Sequence, residues 1–308
     1  MARDRDRLVG TACAVGSAAA FAVTIVVQRR LATTGIRPTS VLSVRFGIAS
    51  LVLLALLAVT RRPLRPAPGE RLWALGLGAV AYAVEAGFFY LALERGSAGA
   101  VALLFYSYPA LVTVLEVATG RQPLRPRTVV AVGLSMVGAA LVVVAGDEVD
   151  ISAGGVAFAF AAAGVFSGYL IVSSRVIRRS EPRTTAAWVA GGASLSLFAA
   201  ALLGRGLDVP VGAIDDIVLN GVATAFAFAL LYAALLRLSP GPAAVVMTLE
   251  AFGSVALAAI VLNEFVAPLQ LLGGVAIVGA AATVALESRS TADAATPPDA
   301  ADPGSPSE

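Results

Sequence analysis

Long runs of apolar residues alternate with short segments rich in Arg, Pro and Gly along nearly the whole chain. Each run holds about twenty residues, the length that an α-helix needs to cross the roughly 30 Å hydrocarbon core of a bilayer. The pattern therefore predicts an all-α integral membrane protein with ten transmembrane helices. The predicted spans lie near residues 8–27, 38–60, 72–93, 98–118, 128–146, 153–173, 184–203, 217–236, 241–262 and 268–286.

The second half of the chain repeats the first. Residues 90–97 (YLALERGS) resemble residues 232–239 (YAALLRLS) at a spacing of 142, and VGAA recurs at 137–140 and 278–281 at a spacing of 141. Because each half holds five spans, an odd number, the two halves are predicted to cross the membrane as inverted repeats. The predicted organisation is a tail at 1–7, five-helix repeats at 8–146 and 152–286, and a disordered tail at 287–308.

Composition narrows the range of functions. The chain is 58% hydrophobic and only 14% charged, whereas soluble domains average about 25% charged residues. It has no His, all 22 basic residues are Arg, and Cys13 is its single cysteine. These features exclude a Ser-His-Asp triad, an HExxH zinc site, a Walker A lysine and an intramolecular disulfide. We therefore expect no enzyme activity, no catalytic or metal-binding residues, no cofactor and no nucleic-acid partner.

Arginines are concentrated in alternate loops. Five of the 22 fall on one side of the predicted topology, Arg45 falls inside a span, and the other 16 fall on the side of the N-terminus. By the positive-inside rule, both termini are predicted to be cytoplasmic, and loop 146–150, which has no basic residue, to be external. The use of Arg without Lys, together with abundant Ala and Gly, suggests a bacterial source. The expected location is a bacterial plasma membrane.

Charged residues inside apolar spans are the strongest functional candidates, because each costs about 2.5–3.5 kcal/mol at the bilayer centre. Glu250 lies near the middle of the ninth span, and Ser254 shares its helix face. The counterpart of Glu250 in the first repeat is Tyr108, which also lies near mid-depth. Glu250 is expected either to bind a cationic group or a coupling proton, or to be a structural acid bonded to a neighbouring helix.

Two further charges lie about 10–12 Å below the outer ends of the second and third spans, at Arg45 and Glu85. They are predicted to form a buried ion pair, with the alternative that Arg45 holds a substrate carboxylate. Tyr106 belongs to a polar stripe on the fourth span, which either lines a hydrophilic path or joins helices. Pro109 in the same span is expected to kink the helix.

Three other residues have structural interpretations. Gly164 and Gly168 form a GxxxG motif in the sixth span, which is predicted to let another helix approach closely. Glu116 lies near a helix end and is expected to reach the interface or to be capped by Arg121 or water. These residues are therefore not included among the candidate binding residues.

Several segments resemble the EamA-type transporters of the drug/metabolite transporter superfamily. In the first half the resemblance rests on Arg45-Phe46, on FYLAL at 89–93 followed by GSA at 96–98, and on Pro109. In the second half it rests on LE at 249–250, LNE at 262–264 and GG at 273–274. The chain departs from the family pattern at Gln122, where the second half has an acid, and at Ala251, where a proline is usual after the acid. The resemblance implies ten helices, transport of small metabolites and no covalent chemistry.

These observations predict a secondary transporter, and more narrowly an exporter of small metabolites such as amino acids by alternating access. Its candidate substrate- or proton-binding residues are Arg45, Glu85, Tyr106, Tyr108, Glu250 and Ser254. The alternatives are a flippase for lipids or lipid-linked solutes and, less favoured because the acids are scattered singly, an intramembrane enzyme. Expected partners are a small-molecule substrate, membrane lipids and coupling protons. Both a monomer and a homodimer remain open.

Overall fold

The computed structural model describes residues 2–32, 35–120, 125–145, 150–204, 211–262 and 265–293, with the single positions 123 and 207. Regular structure in these residues is helical, apart from one isolated β-bridge between Gly96 and Ile151. A π-helical segment, Leu77–Tyr82, joins α3 to α4, and a 3₁₀ turn, Val211–Ala213, precedes α10. The α-helices are α1 Ala2–Ala32, α2 Pro38–Val59, α3 Arg71–Gly76, α4 Ala83–Leu93, α5 Ala98–Phe105, α6 Tyr108–Ala118, α7 Pro126–Val144, α8 Ala153–Val176, α9 Pro182–Gly204, α10 Ile214–Leu235, α11 Pro240–Met247, α12 Leu249–Leu262 and α13 Pro268–Asp293.

The membrane-protein class predicted from the sequence is confirmed. Within the described residues, nine helical stretches are long and apolar enough to cross a bilayer. The tenth candidate, Pro268–Val284, is apolar but shorter, so the predicted count of ten is met only if this helix also spans. Helix α13 continues to Asp293, into the segment predicted to be a disordered tail, and residues 294–308 lie outside the described part.

The fourth and ninth spans are both broken, and the two breaks correspond in the repeat. The fourth span divides between α5 and α6, and the ninth divides between α11 and α12. At the breaks the Ser107 N–H donates to Leu104 O at 3.1 Å, and the Thr248 N–H donates to Val245 O at 3.3 Å. Both bonds close three-residue turns that are tighter than those of an α-helix. Ser107 and Thr248 are 141 residues apart, the spacing of the sequence repeat.

Helix packing follows the repeat as well. Among the extensive contacts are those that join α1 to α10, α2 to α9, α7 to α13 and α4 to α8. When each helix is replaced by its counterpart in the other repeat, the α1–α10 pair becomes the α4–α8 pair. The α2–α9 and α7–α13 pairs stay the same. The α7–α13 contact depends on two glycines, because a Cβ at Gly138 would lie 2.6 Å from Gly273 O, and one at Gly273 would lie 2.5 Å from Gly138 O. No larger residue fits at either position without moving the helices apart.

The loop between α2 and α3, residues 60–70, packs against the second repeat through hydrogen bonds. Thr184 Oγ1 donates to Pro63 O at 2.6 Å, and Trp188 Nε1 donates to Leu64 O at 2.9 Å. The Ala67 N–H donates to Ser180 Oγ at 2.9 Å. The partners of the loop in the second repeat lie in the first two turns of α9, at Thr184 and Trp188, and in the turn before it, at Ser180.

Glu70 at the end of this loop is bound by the turn at residues 178–180. The backbone N–H groups of Arg178 and Arg179 donate to its Oε1 at 3.0 and 2.9 Å. The N–H and Oγ of Ser180 donate to its Oε2 at 2.9 and 2.6 Å. Burial by itself would raise the pKa of Glu70, but the hydrogen bond from Ser180 Oγ and those from the three amides outweigh it and lower the pKa below its usual value.

Candidate functional site

Three charged side chains from both repeats meet inside the helix bundle. Arg45 comes from α2, Glu85 from α4 and Glu250 from the first turn of α12. Arg45 and Glu85 are only 5% and 8% exposed, and Glu250 is half-buried. Arg45 interacts electrostatically with both carboxylates, and the two carboxylates interact with each other. The arrangement places one positive and two negative groups in a region that excludes most solvent.

The predicted Arg45–Glu85 ion pair is not a direct contact. Neither an ion pair within 4.0 Å nor a hydrogen bond joins the two side chains, and their attraction acts at longer range. The guanidinium of Arg45 instead lies over the ring of Phe46, 4.5 Å from its centroid. Its Nε is buried and has no hydrogen-bond partner in the described part of the chain. Arg45 therefore keeps a donor that no acceptor among the described residues uses.

Glu250 is the residue of the second repeat that links the cluster together. It interacts electrostatically with Tyr82 and Glu85 of the third span and with Tyr106 and Tyr108 of the fourth. Its position at the start of α12 is favourable for an acid, because the unpaired N–H groups of a helix start attract negative charge.

Ser254 lies one turn beyond Glu250 in α12. Its Oγ donates to Ala251 O at 2.9 Å, so its hydrogen is already used within its own helix. The side chain is buried. Ser254 is thus close to Glu250 in the sequence, but its hydroxyl group is hydrogen-bonded to the backbone of its own helix.

The two tyrosines predicted as site residues flank the break in the fourth span. Tyr106 directly follows α5 and Tyr108 starts α6, and both are buried. Tyr108 Oη donates to Ala244 O of α11 at 3.3 Å, which joins the two broken spans. Its ring packs edge-on against Phe166, with centroids 5.0 Å apart. Tyr108 and Glu250 occupy corresponding positions in the two repeats, and they also interact electrostatically with each other.

Tyr82 belongs to the cluster, although the sequence analysis did not identify it. It is the last residue of the π-helical segment, and its ring packs edge-on against Phe46 at 5.0 Å. It interacts electrostatically with Arg45, Glu85 and Glu250. One sequence signal could have indicated it, because Tyr82 lies three residues before Glu85 and so shares its helix face.

A second polar pair lies behind Tyr82. The hydroxyl groups of Tyr169 and Tyr232 lie 2.8 Å apart and share a hydrogen bond. The Tyr169 ring packs edge-on against Tyr82, with centroids 5.9 Å apart.

In α10, Asn220 is fully buried, and neither atom of its amide finds a hydrogen-bond partner among the described residues. A buried amide without partners is unusual and indicates a position where a further polar group would be accommodated.

The structure changes two structural interpretations from the sequence. Glu116 lies near the end of α6, as expected, but it is only 4% exposed, and its Oε2 accepts the N–H of Gly241 from the second repeat at 2.9 Å; its expected partner Arg121 lies outside the described residues. The GxxxG motif does not bring another helix close, because a Cβ at Gly164 or Gly168 would meet no atom within 4 Å. The contact with Gly241 was not predicted because the position of Glu116 along its helix does not reveal which residues lie next to it. The GxxxG interpretation is wrong because small residues do not reveal what lies opposite them.

No cluster of three or more Cys, Asp or Glu side chains in the described residues could hold a metal ion. The central residues themselves offer binding of charged groups and exchange of protons. Arg45 can bind an anionic group, Glu85 and Glu250 can bind a cationic group or a proton, and the tyrosines can donate hydrogen bonds.

Comparison with known proteins assigns the fold and the family. Among solved structures, a chain described as "Crystal structure of protein" matches with a TM-score of 0.73 and 19% sequence identity, covering 90% of this chain and 98% of that chain. Comparison with curated protein sequences finds no match. The model of the EamA-like transporter family matches residues 8–144 and again residues 153–286. Since these two matches cover most of the sequence, the chain belongs to the EamA-like transporter family.

Proposed function

We propose that the protein is a secondary transporter that exports small metabolites, such as amino acids or related compounds, by alternating access. The observation that carries this proposal is the buried cluster in which Arg45 and Glu85 of the first repeat meet Glu250 of the second. Buried charges are costly in a bilayer and are retained mainly where they bind substrates or ions. In this proposal the protein is a carrier and has no enzyme activity.

The charges of the cluster suit a substrate with both signs of charge. The unpartnered Nε of Arg45 is available to an anionic group such as a carboxylate. Glu85 and Glu250 are available to an ammonium group, and an amino acid carries both groups. Tyr106, Tyr108 and Tyr82 all interact electrostatically with Glu250 and would orient the bound molecule.

The two broken spans support alternating access. Discontinuous helices at corresponding positions of two repeats are typical of secondary transporters, whose substrate site lies at the interface of the repeats. Here the breaks at Ser107 and Thr248 lie within two residues of Tyr108 and Glu250. Opposite orientation of the repeats would let each one take the role of the other when the site changes its access. In the proposed topology both termini are cytoplasmic, as the arginine distribution predicts.

Glu250 is also the proposed carrier of a coupling proton. A carboxylate can bind and release a proton, and desolvation at this depth disfavours its charged form. Proton binding would neutralise one of the two acids opposite Arg45. The affinity of the site for a charged substrate would then depend on whether the proton is bound.

Transport by purified protein in liposomes tests the proposal. Radiolabelled amino acids are supplied with and without a pH gradient, and the wild type is compared with Glu250→Gln and with Glu94→Gln as the control. Glu94 is an exposed acid paired only with its neighbour Arg95. A coupling role predicts that Glu250→Gln abolishes the dependence on the gradient, whereas a binding role alone predicts weaker affinity with the dependence retained. Unchanged affinity, rate and pH dependence in a folded Glu250→Gln protein would refute both roles.

A further inference from the structure

An apolar groove on the outside of the bundle lies between the third and sixth spans. It runs between α3 with its π-helical extension and α8, and its cavity volume is about 680 Å³. Its walls include Trp73, Leu77, Val165 and Val172. This volume lies in the range of about 300–1,000 Å³ that is typical of ligand sites.

The groove exists because two glycines face it. A Cβ at Gly76 or at Gly168 would meet no atom within 4 Å, so the space in front of both backbones is open. In a soluble protein such a space would fill with water. Here the wall is apolar, so an apolar group from the bilayer is the expected occupant.

The floor of the groove is closed and chemically satisfied. It is formed by Tyr169, which is 2% exposed and whose hydroxyl group is hydrogen-bonded to Tyr232. No unpaired polar group of this tyrosine therefore faces the groove, and an aliphatic chain would lose no hydrogen bond by entering it. Ordinary contact between apolar surfaces is the interaction that the walls offer.

The groove runs along much of the depth of one membrane leaflet. On α8 its lining residues extend from Val165 to Val172, which is about 10 Å at 1.5 Å per residue. On the other wall it extends from Leu72 to Ala81, about 14 Å. The hydrocarbon core of one leaflet is about 15 Å deep. A single acyl chain standing upright in the leaflet therefore fits along the groove.

Four arginines surround the end of the groove on the arginine-rich side. Arg71 precedes the first wall residue of α3, and Arg175 lies three residues after Val172, on the same face of α8. Arg178 and Arg179 follow in the next turn, and all four are exposed. A headgroup at this end would therefore meet an array of guanidinium groups.

Nearby acids offset only part of this positive charge. Glu70 is buried and accepts hydrogen bonds from the amides of the 178–180 turn and from Ser180 Oγ, and its Oε1 forms an ion pair with Arg179 Nε at 3.7 Å. Glu181 is paired with Arg183 at 3.4 Å. Arg71 uses its Nε to donate to Pro66 O, which leaves its two terminal nitrogens for another acceptor.

We propose that this groove binds an anionic glycerophospholipid, with one acyl chain between α3 and α8 and the phosphate held by Arg71 and Arg175. Guanidinium groups bind phosphate oxygens with charge-assisted, often bidentate hydrogen bonds. The inference does not depend on the transported substrate. It adds a lipid site to a protein whose proposed substrate site lies on the other side of Tyr169 and Tyr82.

Tryptophan fluorescence can test this site directly, because Trp73 lines the groove. The chain has two tryptophans, so Trp188→Phe leaves Trp73 as the single reporter. The variant is placed in bilayers of phosphatidylcholine with increasing amounts of phosphatidylglycerol, one of the two lipids being brominated in its acyl chains. Bromine quenches tryptophan at short range, so the two series give the relative affinity of the lipids at Trp73. We expect a preference of about fivefold or more for phosphatidylglycerol, the factor that one arginine near an anionic surface contributes.

Variants separate the groove from general attraction to an arginine-rich surface. Arg71→Gln with Arg175→Gln should reduce the preference to about one, whereas Arg5→Gln with Arg237→Gln should leave it unchanged, because these two exposed arginines do not lie at the groove. Equal quenching by both lipids in the parent protein would overturn the proposal. So would a preference that survives the loss of Arg71 and Arg175, or one that the control pair removes equally.

A second pair of variants tests the acyl-chain part without changing any charge. Gly168→Leu should fill the groove and abolish the preference, since the new side chain has open space to enter. Gly133→Leu is the matched control, because a Cβ at Gly133 would likewise meet nothing within 4 Å, but Gly133 lies on α7. An unchanged preference in Gly168→Leu, or displacement of the lipid by soluble glycerol phosphate, would show that no acyl chain occupies the groove.

Discussion

Replacing Glu70 by glutamine should destabilise the protein strongly, although it changes a single oxygen into an amide nitrogen. Glu70 is 4% exposed, and its carboxylate accepts three backbone N–H groups and the hydroxyl group of Ser180. In Glu70→Gln one side-chain oxygen still accepts, but the new NH₂ group faces the Ser180 N–H, which loses its acceptor. A buried unsatisfied donor costs about 1–3 kcal/mol, and hydrogen bonds to a neutral acceptor are about half as strong as those to a charged one. We expect a total loss of about 3 kcal/mol.

The same contact predicts a dependence on pH. The pKa of Glu70 is lower in the folded protein than in the unfolded chain, because the hydrogen bonds favour the charged form. The stabilisation is therefore present in full above the unfolded pKa of about 4.3 and is lost as the pH falls through the folded value. The difference in stability between the wild type and Glu70→Gln should be constant near neutrality and should shrink in acid.

The assay is unfolding of the purified protein by sodium dodecyl sulfate in mixed micelles, followed by circular dichroism at several pH values. Glu94→Gln is the control, since Glu94 is exposed and its loss should change the free energy of unfolding by less than about 0.5 kcal/mol. A Glu70→Gln protein as stable as the wild type at pH 7 would refute the reasoning. A stability difference that stays constant down to pH 3 would show that ionisation of Glu70 is not its source.

Three further predictions concern packing, the central charges and topology. Gly138→Leu should lower the free energy of unfolding by about 2 kcal/mol or more, because α7 and α13 are in backbone contact there; unchanged stability would show that these helices can separate. Since Arg45 and Glu85 make no direct ion pair, the destabilisation caused by Arg45→Gln and Glu85→Gln should be nearly additive, and a coupling free energy above about 1.5 kcal/mol in a double-mutant cycle would contradict this. In a cysteine-free background, a cysteine replacing Asp150 should react with an impermeant thiol reagent in intact cells and one replacing Thr296 should not; the reverse labelling would invert the proposed topology.

The sequence was sufficient to predict the helices, because their length and apolar character are local properties. It also predicted a disturbance in the fourth span from Pro109, and the structure places the break directly before that turn. The corresponding break at Thr248 was not predicted, since no proline follows it within α12. Only the repeat connects the two positions: a break near Ser107 implies one about 141 residues later.

Contacts between distant segments account for what the sequence did not predict. Tyr82, the acceptor role of Glu116 and the binding of Glu70 all depend on which helices and loops become neighbours. The GxxxG motif shows the same limit, because two small residues allow close packing but do not require a helix opposite Gly168. The charged residues of the central cluster could be listed in advance because burial of charge is costly wherever it occurs. The positions of these charged residues relative to one another could not be predicted from the sequence.

The attachment of the α2–α3 loop to the second repeat has a consequence for synthesis in the cell. Every backbone N–H group that donates to Glu70 lies 108–110 residues later in the chain. At about 5–20 residues per second, the ribosome needs roughly 5–20 s to produce those residues after Glu70 has emerged. During that interval the first repeat is in the membrane with an unfinished loop and an exposed carboxylate. The second repeat thus completes the structure of the first, and neither half is an independent folding unit on this face of the membrane.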